Sequence, residues 1–337
     1  MPASSLSVRN LCLAIILAII FTISGLYLMV SITLMLNDLL DEYIKDPWAC
    51  IGTDYTYQTY DSIVAFLAPL GYLCFLLTIV FILLGLIVKR YQISVFGSYV
   101  LYLPLFGSFS FTMTVLFAGL GVIRILWLPF FDFAPDLLNA ALIILFPLYL
   151  HHIVLFLGIF GTLLLLPLMV VLIFLGLFIF VFGVITWLYG KFQGRTIIDF
   201  WIYRYSRHPQ YLGLILFNYG LIIIPMLFPF GGPHPPLPTL PWLLLTLIII
   251  GMAITEENNF LKEANLEFTN WRKRTPFMIP LPKVILSFIL WPLRILLKKE
   301  WPETNREIIL ILLVYGVILV LLSFPLLPLE PGIGVAG

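Results

Sequence analysis

The chain has 337 residues, of which 62% are apolar, 16% are aromatic and only 10% are charged, and its formal net charge is +1. This composition is far more apolar than that of a soluble globular domain, so it excludes a soluble enzyme and indicates an integral membrane protein. The basic residues form no stripe interleaved with aromatic residues, so we expect no nucleic-acid partner.

Apolar runs recur along the chain, and a helix needs about 20 such residues to cross the hydrocarbon core of a membrane. The sequence predicts an all-α fold, a polytopic transmembrane helical bundle of about seven or eight spans. The first run is too long for a cleaved signal peptide, so we interpret it as a retained span. The runs cover residues 11–36, 63–88, 99–123, 137–190, 211–229, 240–254 and 308–324.

Charge is distributed unevenly along the chain. Thirteen of the 18 Lys and Arg residues lie from 191 to 306, whereas the connection 37–62 holds six acids and the single Lys45. Basic loops tend to remain in the cytoplasm, so we expect the segments after residue 190 inside and the acidic connection outside. With these orientations, the number of membrane crossings is consistent only if one segment in the first half is re-entrant or interfacial, or if the N-terminus is external.

The order of these segments suggests three regions. Residues 1–190 form a transmembrane scaffold, residues 191–300 carry the chemistry on a helical hairpin and an interfacial amphipathic helix, and residues 301–337 form a last transmembrane helix and tail. His151 and His152 interrupt the longest apolar run, either as an interfacial pair or as a metal or proton site. The three cysteines, Cys12, Cys50 and Cys74, have no metal-ligand spacing, and we predict no metal site.

The stretch RYSRHPQYLG concentrates charge where an apolar run begins. Proline suits the first turn of a helix, so a helix is predicted to begin near Pro209 and to enter the bilayer. Its first turn presents free N–H groups beside Arg207 and His208, which suits an anionic group such as a cofactor carboxylate. Tyr211 lies in the same turn. Gly213 allows close approach of a ligand or of a neighbouring helix, and we place it in the cofactor site.

A second polar cluster, EE, lies where the run 240–254 ends. A helical hairpin returns its two ends to one membrane face, so Glu256 and Glu257 are predicted to lie near Arg207. Adjacent helical residues point about 100° apart, so only one of the two carboxylates can face a given ligand.

The segment after this pair, 260–274, has apolar residues at helical spacing. This pattern predicts an amphipathic helix on the bilayer, which Thr275 and Pro276 end. Arg272 and Lys273 are interpreted as side chains that reach up to the membrane surface.

These motifs together resemble a known family. The order IYRYSRHPQYLG, then EE, then WRKRTPFMIP is similar to the C-terminal half of the isoprenylcysteine carboxyl methyltransferases and related phospholipid methyltransferases, over about residues 195–282. The resemblance implies a multi-pass membrane enzyme that uses S-adenosylmethionine, with a cofactor pocket at the cytoplasmic face and an opening to membrane lipid. The expected substrate is hydrophobic or lipid-like, with a carboxylate or an amine as methyl acceptor.

The resemblance also suggests residue roles. His208, Tyr211, Glu256 and Glu257 match the positions that contact the cofactor, while Arg207 and Arg274 match arginines near the reacting end. Five positions depart from the family pattern: Trp201 replaces a frequent glycine, Ala264 with Asn265 replaces the usual Phe-Gly after the EE pair, and Phe268 and Trp271 replace frequent tyrosines.

Two other functions fit the same residues. A sterol-type membrane reductase binds a nicotinamide cofactor through a similar R-H-P-x-Y element, although the EE pair suits the methyltransferases better. Alternatively, Arg207, Glu256 and Glu257 form structural ion pairs in a non-catalytic membrane scaffold or transporter.

Overall fold

The structure, a computed structural model, describes residues 3–43, 57–88, 90, 93–94, 140–146, 162–223, 239–262 and 266–329. Within these ranges every regular element is a helix, which confirms the all-α prediction for the described part of the chain. The α-helices are α1 (Ala3–Tyr43), α2 (Tyr57–Ile87), α3 (Thr162–Phe192), α4 (Pro209–Ile222), α5 (Thr239–Lys262), α6 (Leu266–Arg274), α7 (Lys283–Ile289), α8 (Trp291–Leu297) and α9 (Asn305–Ser323). Short 3-10 helices occupy Leu142–Leu145, Trp201–Arg204 and Phe324–Leu329.

Four segments of the described residues are long and apolar enough to cross a membrane: Ala68–Ile87, Leu165–Phe192, Thr239–Lys262 and Asn305–Leu326. A shorter apolar segment, Val8–Ser24, lies on α1. The predicted run at 99–123 lies outside the described residues, as do His151, His152 and Cys50. The membrane class of the chain is therefore supported, and the number of seven or eight spans stays a prediction.

The chain divides into two compact units. One comprises Met1–Leu28, Leu168–Leu221 and Ile249–Leu312, and the other comprises Met29–Pro167, Ile222–Ile248 and Leu313–Gly337. Every residue predicted to belong to the site lies in the first unit. In the second unit, the backbone N–H groups of Ala141 and Ile143 donate to the hydroxyls of Thr239 and Ser323, which fixes the buried 3-10 helix at 142–145.

Glycines bring α3 and α4 into close contact. A Cβ atom on Gly213 would lie 2.5 Å from the backbone nitrogen of Phe180 and 2.6 Å from the carbonyl oxygen of Gly176. A Cβ atom on Gly176 would in turn lie 2.4 Å from the backbone nitrogen of Phe217. Small residues allow helix backbones to approach this closely. In a membrane the hydrophobic effect contributes little to the association of helices, so close packing of this kind stabilises the contact.

The turn after α3 leads the chain to the start of α4. Gly194 has a φ of +73°, a left-handed conformation that glycine adopts without steric cost, and its N–H donates to the carbonyl oxygen of Lys191. The 3-10 helix at 201–204 follows. It begins at Trp201, whose φ of +49° is unusual for a bulky residue. The indole stacks on Tyr189 with ring centroids 5.3 Å apart, and this contact holds the turn against α3.

The ends of α5 and α9 pack together. Ile308 is buried on α9, and a Cβ atom on Gly251 of α5 would lie 2.8 Å from Leu312. Beyond this contact, the amide nitrogen of Asn258 donates to the carbonyl oxygen of Pro302 at 2.9 Å, and the indole N–H of Trp301 donates to the amide oxygen of Asn258 at 2.8 Å. These bonds fix the segment before α9 beside the polar end of α5.

Candidate functional site

A cavity of about 240 Å³ lies in the first unit, at the C-terminal ends of α3 and α5 and the start of α4. The helix α4 begins at Pro209, as predicted, because proline supplies a helical φ where no backbone donor is needed. The chain before it is tied to the segment after α6, since the N–H of Arg207 donates to the carbonyl oxygen of Pro276 at 3.0 Å. The predicted approach of the RHPQY and EE motifs is confirmed, because both line this cavity.

Glu257 is the hub of an ion cluster. Its side chain is only 2% exposed. One oxygen accepts hydrogen bonds from Arg207 Nη1 at 2.7 Å and from Arg272 Nε at 2.9 Å. The other oxygen lies 2.9 Å from His208 Nε2. An ionised carboxylate only accepts, so Nε2 carries a proton in this contact. Both oxygens of Glu257 are therefore occupied by protein donors.

Two arginines balance this buried carboxylate, and aromatic rings cover them. The guanidinium carbon of Arg272 lies 4.2 Å from the ring centroid of Trp301, and that of Arg207 lies 5.8 Å from the same centroid and 5.6 Å from that of Phe277. These are cation–π distances. Burial lowers the pKa of Arg207 to about 10. The negative charge of Glu257 raises this pKa, and the positive charge of Arg272 lowers it by a smaller amount. The Arg207 guanidinium is thus charged at neutral pH, and its buried Nε has no hydrogen-bond partner.

Glu256 differs from its neighbour because 51% of its side chain is exposed. It accepts a hydrogen bond of 2.5 Å from the hydroxyl of Tyr211, and it lies 4.0 Å from His208 Nδ1. The His208 and Tyr211 rings stack with centroids 5.7 Å apart. Burial and, secondarily, Glu256 raise the pKa of Tyr203 above its ordinary value, so this phenol stays protonated. Glu256 is therefore the carboxylate with room for a ligand.

Aromatic side chains form much of the remaining wall. Phe268 is buried and packs against Phe260 and Trp271, with ring centroids 5.2 and 5.7 Å apart. The indole N–H of Trp271 donates to the carbonyl oxygen of Tyr203 at 3.4 Å. Trp187 lines the cavity from α3. The amphipathic helix predicted over 260–274 is divided, since α5 extends to Lys262 and α6 covers Leu266–Arg274, and Phe268 is buried in the protein.

Five of the seven predicted site residues line the cavity: Arg207, His208, Tyr211, Glu256 and Glu257. Gly213 lies instead at the crossing of α3 and α4, where the close approach is that of a neighbouring helix. Arg274 is exposed at the end of α6 and lies outside the cavity lining. The functional roles of all seven residues stay predictions.

The sequence interpretation missed one member of the ion cluster, Arg272, and one aromatic residue that covers the cluster, Trp301. Arg272 was interpreted as a surface anchor, which is wrong, because its side chain is only 23% exposed and bonds Glu257. The signal that could have identified it is helical geometry: residues 272 and 274 point about 200° apart, so one of the two arginines must face inward. Trp301 carried no sequence signal, because it is 44 residues away from Glu257 in the chain.

The described residues contain no group of three or more His, Cys, Asp or Glu side chains arranged to hold a metal ion. The chain matches no family model, no curated protein and no solved structure.

Proposed function

We propose that the chain is an integral membrane methyltransferase that uses S-adenosylmethionine and methylates a hydrophobic or lipid-like acceptor through a carboxylate or an amine. The observation that carries this proposal is the position of Glu256. It is a half-exposed carboxylate, held by Tyr211, at a cavity that aromatic rings also line.

The chemistry of the cavity suits the cofactor. Carboxylates accept hydrogen bonds from ribose hydroxyls in other nucleotide sites, and Glu256 has the accessible surface to do so. Aromatic faces such as those of Trp271 and Phe260 attract a sulfonium cation with about 0.5–2 kcal/mol. The cationic Lys191, which also lines the cavity, suits the cofactor carboxylate. S-adenosylmethionine would supply the methyl group for an in-line displacement, a reaction that depends mainly on positioning.

The size of the cavity is consistent with part of such a ligand. Its volume of about 240 Å³ is slightly smaller than the roughly 300–1,000 Å³ of typical small-molecule sites. The cavity is partly open, so the cofactor would extend through its mouth, and the acceptor would reach the methyl group from that side.

The backbone at Trp201 gives the resemblance to the isoprenylcysteine and phospholipid methyltransferases independent support. Its positive φ of +49° is a conformation that glycine adopts readily, so the glycine frequent at this position in that family suits the geometry. We further propose that the bundle has seven or eight spans and that the cavity opens toward the cytoplasm, where the cofactor is available.

A non-catalytic scaffold is the second candidate, because the cluster of Glu257, Arg207 and Arg272 has the form of a structural ion network. A scaffold function would not account for the exposed side of Glu256 or for the aromatic side chains that line the cavity. A reductase that binds nicotinamide gains no comparable support from any single contact.

The test is methyl transfer with a binding comparison. Purified protein in detergent is incubated with S-adenosylmethionine that carries a labelled methyl group and with a native lipid extract, and the lipids are searched for label. In parallel, thermal unfolding is measured with S-adenosylhomocysteine and with a reduced nicotinamide cofactor, since a ligand that binds only the native state raises the melting temperature. Stabilisation by the nicotinamide alone would favour the reductase, and stabilisation by neither would favour the scaffold.

A further inference from the structure

The helices α7 and α8 expose apolar side chains on almost every side. The helix α7 has no buried residue, and Val284 and Phe288 are 82% and 80% exposed. Trp291 and Ile295 on α8 are also exposed. Such a continuous apolar surface in water would be a strong aggregation hazard, so something covers it in the working protein.

This apolar segment cannot cross a membrane. Each helix has seven residues, a length of about 10 Å, against roughly 30 Å for the hydrocarbon core. The two helices meet at Leu290, and Arg294 Nη1 of α8 donates to the hydroxyl of Ser287 on α7 at 3.1 Å. The rings of Phe277 and Trp301, on either side of residues 279–297, contact each other, so the chain returns to the place where it left, and we call residues 279–297 the apolar hairpin.

The neighbouring candidate spans determine where the apolar hairpin lies relative to the membrane surface. The end of α5 and the start of α9 pack side by side, and Asn258 of α5 bonds both Pro302 and Trp301 just before α9. Since α5 and α9 carry candidate spans, the chain between them returns on one side of the membrane. The apolar hairpin is therefore held close to the membrane surface.

Both ends of the apolar hairpin are anchored on the ion cluster. Phe277 precedes it and packs edge-on against His208, with ring centroids 5.1 Å apart. Trp301 follows it and lies over Arg272. The Phe277 and Trp301 rings contact each other at 5.5 Å, which closes the base of the segment. A closed base restricts how far the apolar hairpin can move away from the membrane surface.

The charges on the apolar hairpin have one sign. The apolar hairpin contains Lys283 and Arg294 and no acid, and Lys298 follows it directly, while Arg294 also pairs with Glu300 at 3.1 Å. Basic residues beside apolar and tryptophan side chains are typical of elements that lie in the membrane interface, where cations meet headgroup phosphates.

We propose that the apolar hairpin is a membrane-docking element whose partner is the lipid bilayer itself. Its apolar side chains enter the boundary between headgroups and acyl chains, and its basic residues contact lipid phosphates. This inference is independent of methyl transfer, because it depends only on the exposure, length, charge and anchoring of the segment.

Site-specific fluorescence in lipid nanodiscs tests the proposal. In a background in which Cys12, Cys50 and Cys74 are replaced by alanine, Val284→Cys and Phe288→Cys are each labelled with an environment-sensitive fluorophore. Both positions are highly exposed, so labelling leaves the packing intact. Glu303→Cys, whose side chain is 67% exposed in the polar segment after the hairpin, is the matched control. Quenching is measured with a spin-labelled phosphatidylcholine in the nanodisc and with aqueous iodide.

At residues 284 and 288, the spin-labelled lipid is expected to quench several-fold more strongly than iodide, with the reverse order at residue 303. Stronger quenching by iodide at 284 and 288 would place the apolar hairpin in water and overturn the proposal. Protection from both quenchers would also overturn it, because a protein surface, such as a second copy of the chain, would then cover the segment.

Discussion

At the scale of single residues, the adjacent Glu256 and Glu257 have different environments. Glu257 is enclosed by two arginines and a histidine, whereas half of the Glu256 side chain is accessible. A buried ion pair is costly to break from one side, since the partner charge is left unpaired in a poorly solvating environment. The two carboxylates therefore differ in what they do for the protein.

The first prediction is that Glu257→Gln destabilises the protein by about 3–5 kcal/mol, since it leaves Arg207 and Arg272 with no compensating charge. The matched variant Glu256→Gln removes an accessible charge and leaves the free energy of unfolding nearly unchanged. Thermal unfolding in detergent measures both variants. Equal melting temperatures for the two variants would show that Glu257 is not the hub of the cluster.

The second prediction separates the two arginines of α6. Arg272→Ala removes a charge-assisted hydrogen bond to Glu257 and costs about 1.5–3 kcal/mol of stability. Arg274→Ala, at an exposed position, changes stability by less than about 0.5 kcal/mol. If Arg274 lies near the reacting end, its loss weakens use of the acceptor while S-adenosylhomocysteine still binds. A drop in cofactor affinity for Arg274→Ala would contradict that role.

The sequence predicted which motif residues line the cavity better than it predicted which side chains they contact. Arg207, His208, Tyr211, Glu256 and Glu257 were identified because their motifs place polar side chains at the ends of apolar runs, where a hairpin must bring them together. Which glutamate is buried depends on the rotation of α5 about its axis. That rotation is set by contacts with α9 and with Trp301, which are distant in sequence.

At the scale of the elements, glycine determines how closely α3 and α4 approach. The sequence interpretation placed Gly213 in the cofactor site, although a glycine permits the close approach of a helix as well as of a ligand. The structure places the α3 backbone against it. The start of α4 and the end of α6 follow local signals, proline at the first and Thr275 with Pro276 after the second, so these two boundaries were predictable from sequence.

The third prediction is that Gly213→Ala destabilises the protein by about 1–3 kcal/mol, the usual cost of overpacking. The added methyl group would lie 2.5–2.6 Å from backbone atoms of Phe180 and Gly176. Backbone atoms cannot rotate away as a side chain can, so the two helices would have to separate. Gly316→Ala on α9 is the control, because its methyl group meets only the end of the Leu247 side chain at 3.3 Å. This control gains helix propensity of about 1 kcal/mol and is expected to be neutral or stabilised. Thermal unfolding compares the two, and a stabilised Gly213→Ala would contradict the close crossing.

At the scale of the whole molecule, composition alone indicated the membrane class, and four described segments have the length and apolarity of spans. The number of spans did not follow from the sequence. The run 137–190 is longer than one crossing and shorter than three, so hydropathy does not determine its path.

The fourth prediction concerns orientation. Single cysteines at Lys191 and Lys283 are expected to react only after the membrane is opened, because basic segments tend to remain in the cytoplasm. Cysteines at Asp54 and Pro236, which lie outside the described residues, are expected to react from outside. Labelling of residue 191 from outside would place the cavity in a compartment that does not supply S-adenosylmethionine.

The fifth prediction addresses the central claim, that Glu256 receives the cofactor in a methyltransferase site. The measurement is calorimetric titration of S-adenosylhomocysteine into the wild-type protein and into Glu256→Gln, with melting temperatures confirming that both are folded. The wild type is predicted to bind, and the variant to bind about 10- to 100-fold more weakly, since a charge-assisted hydrogen bond contributes about 1.5–3 kcal/mol. Absence of binding by folded wild-type protein at millimolar ligand, or equal affinity in the two proteins, would contradict the account.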